Sequence, residues 1–159
     1  MTFPAELLRK DDTALCLFCA AFGGRQDAVF LRDAGLRDVT CVDIDGEKLN
    51  AMKPNFPTSW GWRQGDAFAV IDETVTQWDV VTVDAWSNLE DQVLSRFDKL
   101  LSMTKRVLVV GVSMPRLEAM GIDPSRASSS LLGHNVTFRK RSSYLGGTYW
   151  IVMEKTSHA

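Results

Sequence analysis

Cysteine and histidine are scarce in this sequence, which holds three cysteines and two histidines in 159 residues. Cys16, Cys19 and Cys41 are odd in number and lie in apolar runs, which argues against a disulfide framework and for a reducing compartment. Cys16 and Cys19 have the C-x-x-C spacing of many zinc sites, but a second pair is lacking. We therefore expect no metal site, and we expect the three thiols to pack in the core.

Long hydrophobic runs and a large excess of one charge are also lacking. The longest apolar run, residues 14–22, is too short to span a bilayer and suits a buried strand. The formal net charge of -2 gives no general attraction to nucleic acid or to an anionic membrane, although a local basic patch stays open. Residues 1–12 lack the basic-then-apolar pattern of a secretory signal. We expect a cytoplasmic protein without a membrane partner, folded as one domain over residues 1–159.

The sequence does contain an alternation of strand-like and helix-like segments, which is the pattern of a parallel sheet with crossover helices. Short apolar runs predict strands at residues 14–21, 39–44, 60–64, 78–83 and 106–112. Apolar residues at helical spacing predict helices at residues 26–34, 46–53, 68–73 and 90–103. Gly35 is predicted to end the first helix as a left-handed cap, and Asp45 to be the N-cap of the second.

The last third of the chain departs from this alternation. Residues 114–133 are polar and predict a short helix and a loop, whereas 136–144 and 148–154 predict two strands joined at 145–147 as a hairpin. Residues 156–159 are predicted to be a disordered tail. A plain dinucleotide-binding domain tends to end in another crossover helix and a parallel strand, not in a hairpin. We therefore predict an α/β fold, a three-layer Rossmann-like sandwich with a mostly parallel sheet and a C-terminal antiparallel hairpin.

In an open α/β sheet a ligand binds beyond the carboxyl ends of the strands. The turn after the first strand, residues 18–24, ends in Gly23-Gly24, which allows close approach of the backbone to a nucleoside, but a simple strand-to-helix turn has the same residues. Asp43 lies at the carboxyl end of the second predicted strand, about 20 positions after the glycine turn. A carboxylate there can accept hydrogen bonds from both ribose hydroxyls, or it can serve only as an ordinary capping group.

Two further strand ends carry an aspartate. Asp66, after the third strand, can accept a hydrogen bond from an adenine amino group while the N–H of Ala67 donates to the ring, or it can be an N-cap. Asp84 and Trp86 follow the fourth strand. Asp84 could orient an amine or hydroxyl and take its proton, and Trp86 could cover a planar or cationic substrate. The structural alternatives are a capping Asp84 and a packed Trp86.

The order of these residues resembles class I S-adenosylmethionine-dependent methyltransferases. The segments that carry the resemblance are Phe18-Cys19, Gly23-Gly24, Ala34-Gly35, Val42-Asp43-Ile44-Asp45, Asn55-Phe56-Pro57 and Gly65-Asp66. Residues 15–66 are locally similar to the cytosine-C5 DNA methyltransferases, with their F-C-G-x-G-G, A-G, V-D-I-D and N-F-P elements. The resemblance implies S-adenosylmethionine as the cofactor, with Asp43 on the ribose, Ile44 on the adenine and Asp66 on its amino group. The full set of cofactor-binding residues that it implies is Phe18, Ala20, Ala21, Phe22, Gly23, Gly24, Asp43, Ile44, Asp66 and Ala67.

The departures from the family pattern reduce the number of methyl-transfer mechanisms that the sequence allows. Cys16 stands where family members usually carry an acid, and Ala20 and Phe22 replace two glycines of the turn. The Pro-Cys-Gln that supplies the attacking thiolate of the C5 enzymes is absent after the fourth strand, which excludes their mechanism. The Asn/Asp-Pro-Pro-Tyr motif of the exocyclic-amine DNA methyltransferases is absent too. The predicted activity is SN2 methyl transfer to an acceptor that the sequence does not identify, with Asp84 and Trp86 as the catalytic residues.

Two other functions stay open. The altered glycine turn favours a non-catalytic methyltransferase-like binding module or partner subunit, whereas an NAD-dependent oxidoreductase is disfavoured because no G-x-G-x-x-G follows the first strand. Arg139-Lys140-Arg141 is either a solvated face that protects a sheet edge or a phosphate contact to an anionic substrate. Trp60-Gly61-Trp62 is either a packed cluster or a stacking platform, and His134 is predicted to be an ordinary loop residue.

Overall fold

The computed structural model describes residues 3–85, 87–142 and 147–155. Within these ranges strands and helices alternate as far as the fifth strand. The strands are β1 Thr13–Leu17, β2 Asp38–Asp43, β3 Gly61–Gln64, β4 Trp78–Val83, β5 Thr104–Ser113, β6 Ser129–Leu131, β7 His134–Ser142 and β8 Thr148–Glu154. The helices are α1 Phe22–Asp33, α2 Gly46–Met52, α3 Ala67–Glu73, α4 Glu90–Leu94, α5 Phe97–Ser102 and α6 Met114–Ala119, with short 3₁₀ turns at Ala5–Leu7, Lys53–Asn55 and Ser87–Leu89.

The strands of the described residues form one sheet in the order β3-β2-β1-β4-β5-β8-β7-β6. The first five in chain order pair in parallel, through β1 with β2 and β4, β2 with β3, and β4 with β5. β8 runs antiparallel to β5, and β7 and β6 continue the antiparallel part. The predicted fold class, with a C-terminal hairpin whose second strand lies beside the fifth strand, is confirmed.

Helices cover both faces of the sheet because its central strands are apolar on both faces. In β1, Leu15 and Leu17 face a core shared with α3, α4, α5 and α6, whereas Ala14 and Cys16 face a core shared with α1 and α2. This continuous apolar pattern is typical of a parallel strand buried between two helical layers. It sets the carboxyl ends of β1, β2 and β4 at one edge of the sandwich.

The three cysteines are free and buried in the α1 side of the core, as predicted. Cys41 of β2 lies directly opposite Cys16 of β1 in the parallel strand register. Hydrogen bonding with Cys16 and Cys19, together with burial, raises the pKa of the Cys41 thiol above its usual range. Among the described residues no group of histidine, cysteine and carboxylate side chains could hold a metal ion.

The turn after β1 differs from the prediction. The first strand ends at Leu17 and not at residue 21, because Phe18 adopts a left-handed φ of 57° that turns the chain out of the sheet. Helix α1 begins at Phe22 and not at residue 26, so that Gly23 and Gly24 lie inside its first turn. At Gly24 an added Cβ would overlap the carbonyl of Phe18, and glycine is therefore required for this close packing.

The single helix predicted at residues 90–103 is two helices, α4 and α5. Between them the Ser95 hydroxyl and the Arg96 guanidinium both donate to the carbonyl of Gln92, at 2.8 and 3.0 Å. Such local side-chain hydrogen bonds compete with the helical ladder. The predicted loop before β7 also contains the short strand β6.

Other boundaries agree closely with the prediction. β4 and β8 have the predicted bounds, Gly35 has a φ of 86°, and Asp45 caps α2 by accepting a hydrogen bond from the N–H of Lys48. The tail and most of the hairpin turn lie outside the described residues. In the described part of the chain no helix has the length and apolar character needed to cross a bilayer. The single domain over residues 1–159 stays a prediction.

Candidate functional site

A cavity of about 300 Å³ opens at the carboxyl ends of β1, β2 and β3. Parallel strands of an α/β sheet bring the loops that follow them together at this edge, which is where such folds bind ligands. The described residues that line the cavity are Phe18, Ala20, Ala21, Asp43, Ile44, Asp45, Lys48, Asp66, Ala67, Phe68 and Leu89.

Asp43 ties together the two loops that form one wall of the cavity. The residue is 7% exposed, and its carboxylate accepts a hydrogen bond from the N–H of Ala20 at 3.0 Å and from that of Asp45 at 2.9 Å. Each oxygen therefore has a backbone donor, so the predicted strand-end structural role is present. Because a carboxylate oxygen has two lone pairs, the same group can still accept from a ligand in the cavity that it lines.

Apolar groups also line the cavity. Ile44 is 71% exposed although it is a large aliphatic residue, and it lines the cavity next to Asp43. The rings of Phe18 and Phe68 meet edge to face with centroids 5.2 Å apart. The exposed isoleucine and the aromatic pair leave apolar surface in the lining that a flat ring could cover.

Asp45 and Asp66, which both line the cavity, are the N-caps of α2 and α3. Asp66 accepts a hydrogen bond from the N–H of Phe68 at 2.9 Å, which matches the structural alternative for this residue, and it lines the cavity as well. The Asp45 carboxylate lies 4.0 Å from the ammonium of Lys48. With Asp43, the lining holds three carboxylates and one ammonium among its described residues, so it favours neutral or cationic ligands over polyanions.

Next to the lining residue Leu89 is a buried carboxylate, Glu90, that the sequence did not single out. Glu90, the first residue of α4, accepts hydrogen bonds from the N–H and the hydroxyl of Ser113, both at 2.8 Å. Burial raises the pKa of Glu90 above its ordinary value. The pair connects the start of α4 to the carboxyl end of β5.

Three residues of the predicted cofactor turn do not line the cavity. Phe22 is 82% exposed at the first position of α1, and Gly23 and Gly24 follow it in the first helical turn. Gly24 packs on the carbonyl of Phe18, and Gly23 packs on the side chain of Asp84. The other seven residues of the predicted set lie together on the lining.

Asp84 does not line the cavity either. Its carboxylate forms an ion pair with Arg141 of β7, and the two side chains are only 12% and 10% exposed. An added Cβ at Gly111 would lie 2.5 Å from the Asp84 carboxyl carbon, and one at Gly23 would also overlap this side chain. Asp84 is therefore packed between α1 and β5. Trp86 lies outside the described residues.

The basic run on β7 makes contacts within the chain. Arg139 forms an ion pair with Glu6, and Arg141 forms one with Asp84. The alternative of a solvated face does not hold for Arg141, because its side chain is only 10% exposed. His134, predicted in a loop, lies at the start of β7 with its Nε2 2.7 Å from an Asp98 oxygen.

The tryptophan cluster is packed. Trp60 is 4% exposed and donates from its indole to the carbonyl of Leu36 at 2.9 Å. Its ring and that of Trp62 both lie against Phe56, with centroid distances of 5.1 and 5.5 Å. Of the two alternatives, the structure matches core packing for Trp60.

Several lining residues were missed at the level of sequence. Lys48 and Phe68 occupy the first turns of α2 and α3, directly after the capping aspartates, and the spacing from those caps could have indicated them. Leu89 has no local signal in the sequence; it precedes Glu90, whose hydrogen bonds join the start of α4 to Ser113 of β5. Arg141 belongs to the basic run singled out in the sequence and does not line the cavity, but no local signal indicates its partners Gly23 and Asp84, which are 118 and 57 residues away in the chain.

No family model and no curated protein matches the sequence. Solved structures do match. An N-methyltransferase NodS from Bradyrhizobium japonicum has a TM-score of 0.59 at 13% identity, over 93% of this chain and 88% of that one. A ribosomal protein L11 methylase from Lactobacillus delbrueckii has 0.62 at 12%, over 95% and 74%.

A third similar structure is that of magnesium protoporphyrin IX methyltransferase from Synechocystis, with a TM-score of 0.59 at 12% identity, over 92% of this chain and 75% of that one. That protein, and the NodS enzyme in a second structure, contain S-adenosylhomocysteine. At these identities the likeness establishes the fold: the chain has the Rossmann-like architecture of class I methyltransferases.

Proposed function

We propose that the protein is an S-adenosylmethionine-dependent methyltransferase whose cofactor binds in the cavity at the carboxyl ends of β1, β2 and β3. The observation that carries the proposal is the convergence of Asp43, Ile44 and Asp66 on one small cavity. These are the residues for which the sequence resemblance implies contacts to the ribose, the adenine ring and its amino group. Proteins of the same fold contain S-adenosylhomocysteine, the product left after methyl transfer.

The lining fits this cofactor in its chemistry. Asp43 is held rigidly by two backbone donors, so a ribose would meet a pre-oriented acceptor. Ile44 offers exposed apolar surface for a planar base, and burying it would be favourable. A phosphorylated dinucleotide fits less well, because three carboxylates face the cavity and its phosphates would be repelled. The charge of the lining thus disfavours the NAD-dependent oxidoreductase.

When bound, S-adenosylmethionine would supply a sulfonium methyl group whose carbon a nucleophile on the acceptor attacks, with S-adenosylhomocysteine as the leaving group. The chain would bind and orient the cofactor through Asp43, Ile44 and Asp66. The acceptor, a small molecule or an exposed amine or hydroxyl, is not identified. Asp84 and Trp86 stay proposed as catalytic residues, but Asp84 could take a proton only if its ion pair with Arg141 opened.

That ion pair is the specific observation in favour of the second candidate, a non-catalytic binding module. A carboxylate packed between two glycines and already bound to a guanidinium has a structural role without any acceptor. The two candidates share cofactor binding and differ in turnover. A tritiated-methyl transfer screen over cell extract separates them, since only the enzyme labels a protein, nucleic-acid or small-molecule fraction.

Cofactor binding is tested by calorimetry with S-adenosylhomocysteine, using NAD and NADP as control ligands. Ile44→Asp should weaken binding at least tenfold, because it removes apolar contact with the base. Val75→Asp is the matched control: Val75 is 95% exposed and is not part of the lining, so affinity should stay within twofold of the wild type. No heat at millimolar S-adenosylhomocysteine with the wild type, or equal affinities for the two variants, would overturn the proposed site.

A further inference from the structure

Arg141 connects β7 to the first turn of α1 through several donors. Its Nη2 donates to the carbonyl of Gly23 at 2.9 Å, and its Nε and Nη2 donate to Oε1 of Gln26 at 3.1 and 2.7 Å. The guanidinium also lies 4.8 Å from the ring centre of Trp150 in β8. One side chain of the C-terminal hairpin therefore hydrogen-bonds to the helix that begins beside the cavity.

The same guanidinium holds the end of β4 through its ion pair with Asp84. Glycine at positions 23 and 111 provides the space for this carboxylate, because a Cβ at either position would overlap it. A buried charge without a counter-charge costs free energy. Removing either Asp84 or Arg141 would therefore leave the other as an unpaired buried charge and destabilise the fold. Gly23 and Gly111 thus leave room for Asp84, and Asp84 pairs with Arg141.

Arg141 contacts the same segment, the turn between β1 and α1, that lines the cavity. Gly23 is two residues beyond Ala21 and three beyond Ala20, both of which are lining residues. On the cavity side the N–H of Ala20 donates to Asp43. The segment from Phe18 to Gln26 is therefore tied from two sides, by Asp43 next to the cavity and by Arg141 behind it.

We infer that Arg141 is a positioning residue, which sets the conformation of the turn at residues 18–26 and so couples the C-terminal hairpin to the cavity. The inference rests on the proposed function only in that the ligand of the cavity is taken to be the cofactor. It also assigns the basic run on β7 a role: Arg141 acts within the fold, whereas Arg139 pairs with Glu6 at the N-terminal segment.

The test compares Arg141→Met with Arg139→Met, a matched loss of one guanidinium and one ion pair on the same strand. Hydrogen–deuterium exchange of peptides from residues 18–26 is measured first, since it needs no ligand. Arg141→Met should raise exchange in this segment at least tenfold relative to the β2 and β4 peptides, and Arg139→Met should not. Gln26→Ala removes one hydrogen-bond partner of Arg141 and leaves the ion pair with Asp84, so it should raise exchange in residues 18–26 by a smaller factor. This variant replaces Arg141→Met in the test if Arg141→Met does not fold.

Calorimetry with S-adenosylhomocysteine then follows the consequence for the cavity. We expect at least a tenfold loss of affinity for Arg141→Met and less than twofold for Arg139→Met. If the wild type binds no S-adenosylhomocysteine but local exchange rises as described, the positioning role is supported and the proposed function fails. If Arg141→Met lowers the melting temperature while exchange at residues 18–26 rises no more than elsewhere, the residue is merely structural and the inference is wrong.

Discussion

Replacing Asp27 by asparagine should remove a stability penalty that grows with pH, so that the stability of the variant relative to the wild type rises with pH. Asp27 lies on α1 and is fully buried against the α1 face of the sheet. One of its oxygens accepts a hydrogen bond from the indole of Trp150 at 3.2 Å, whereas the other has no hydrogen-bond partner among the described residues. Asparagine has nearly the same shape and keeps an oxygen for the indole, but it carries no charge.

The magnitude follows from the pKa of this carboxyl group. Burial raises the pKa of Asp27 from 3.8 to about 7, although the Arg141 charge and the Trp150 hydrogen bond lower it. Between these two values the folded protein binds more protons than the unfolded chain, so the contribution of Asp27 to stability falls as pH rises. Three pKa units correspond to about 4 kcal/mol, which is the full penalty above pH 7. At pH 5 the penalty is about 1 to 2 kcal/mol.

The assay is urea unfolding followed by tryptophan fluorescence at pH 5, 6, 7 and 8. The stability difference between Asp27→Asn and the wild type should grow by about 2 to 3 kcal/mol from pH 5 to pH 8. Asp33→Asn is the control, because Asp33 ends the same helix with an exposed side chain that pairs with Arg32. Parallel pH profiles for Asp27→Asn and the wild type would show that Asp27 does not titrate as burial requires.

Three further predictions concern the cavity and its turn. Asp43→Ala should weaken S-adenosylhomocysteine binding by about 1.5 to 3 kcal/mol, and more than Asp45→Ala, which should cost about 1 kcal/mol of helix stability instead; equal binding of both variants by calorimetry would contradict the ribose assignment. Gly24→Ala should destabilise the fold by about 1 to 3 kcal/mol in urea unfolding, because the new methyl group overlaps a carbonyl, while Gly65→Ala, with open space around it, should be near neutral. DNA from cells expressing the protein should contain no added 5-methylcytosine, and a fluorinated cytosine duplex should trap no adduct, since the sequence has no cysteine after the fourth strand.

The sequence by itself determined the order of the elements and the class of the fold. Apolar runs of strand length, separated by helical patterns and closed by a glycine-linked hairpin, predict the parallel sheet with its antiparallel end. Asp43 and Asp66 could be placed at strand ends because Asp43 is the last residue of β2 and Asp66 comes two residues after β3. These are local signals, in which a residue and its structural context lie within a few positions of each other.

Contacts between distant parts of the chain were decided only by the tertiary structure. Asp84 lies at a strand end as Asp43 does, yet it pairs with Arg141, which is 57 residues later on β7, a strand separated from β4 by β5 and β8. No periodicity or motif encodes that pairing. The same holds for Gly24, which looked like the end of a turn but lies within α1 because Phe18 takes a left-handed conformation that brings its carbonyl against the helix. Burial and charge pairing depend on what the fold brings together, so the chemistry of these residues is a property of the tertiary structure.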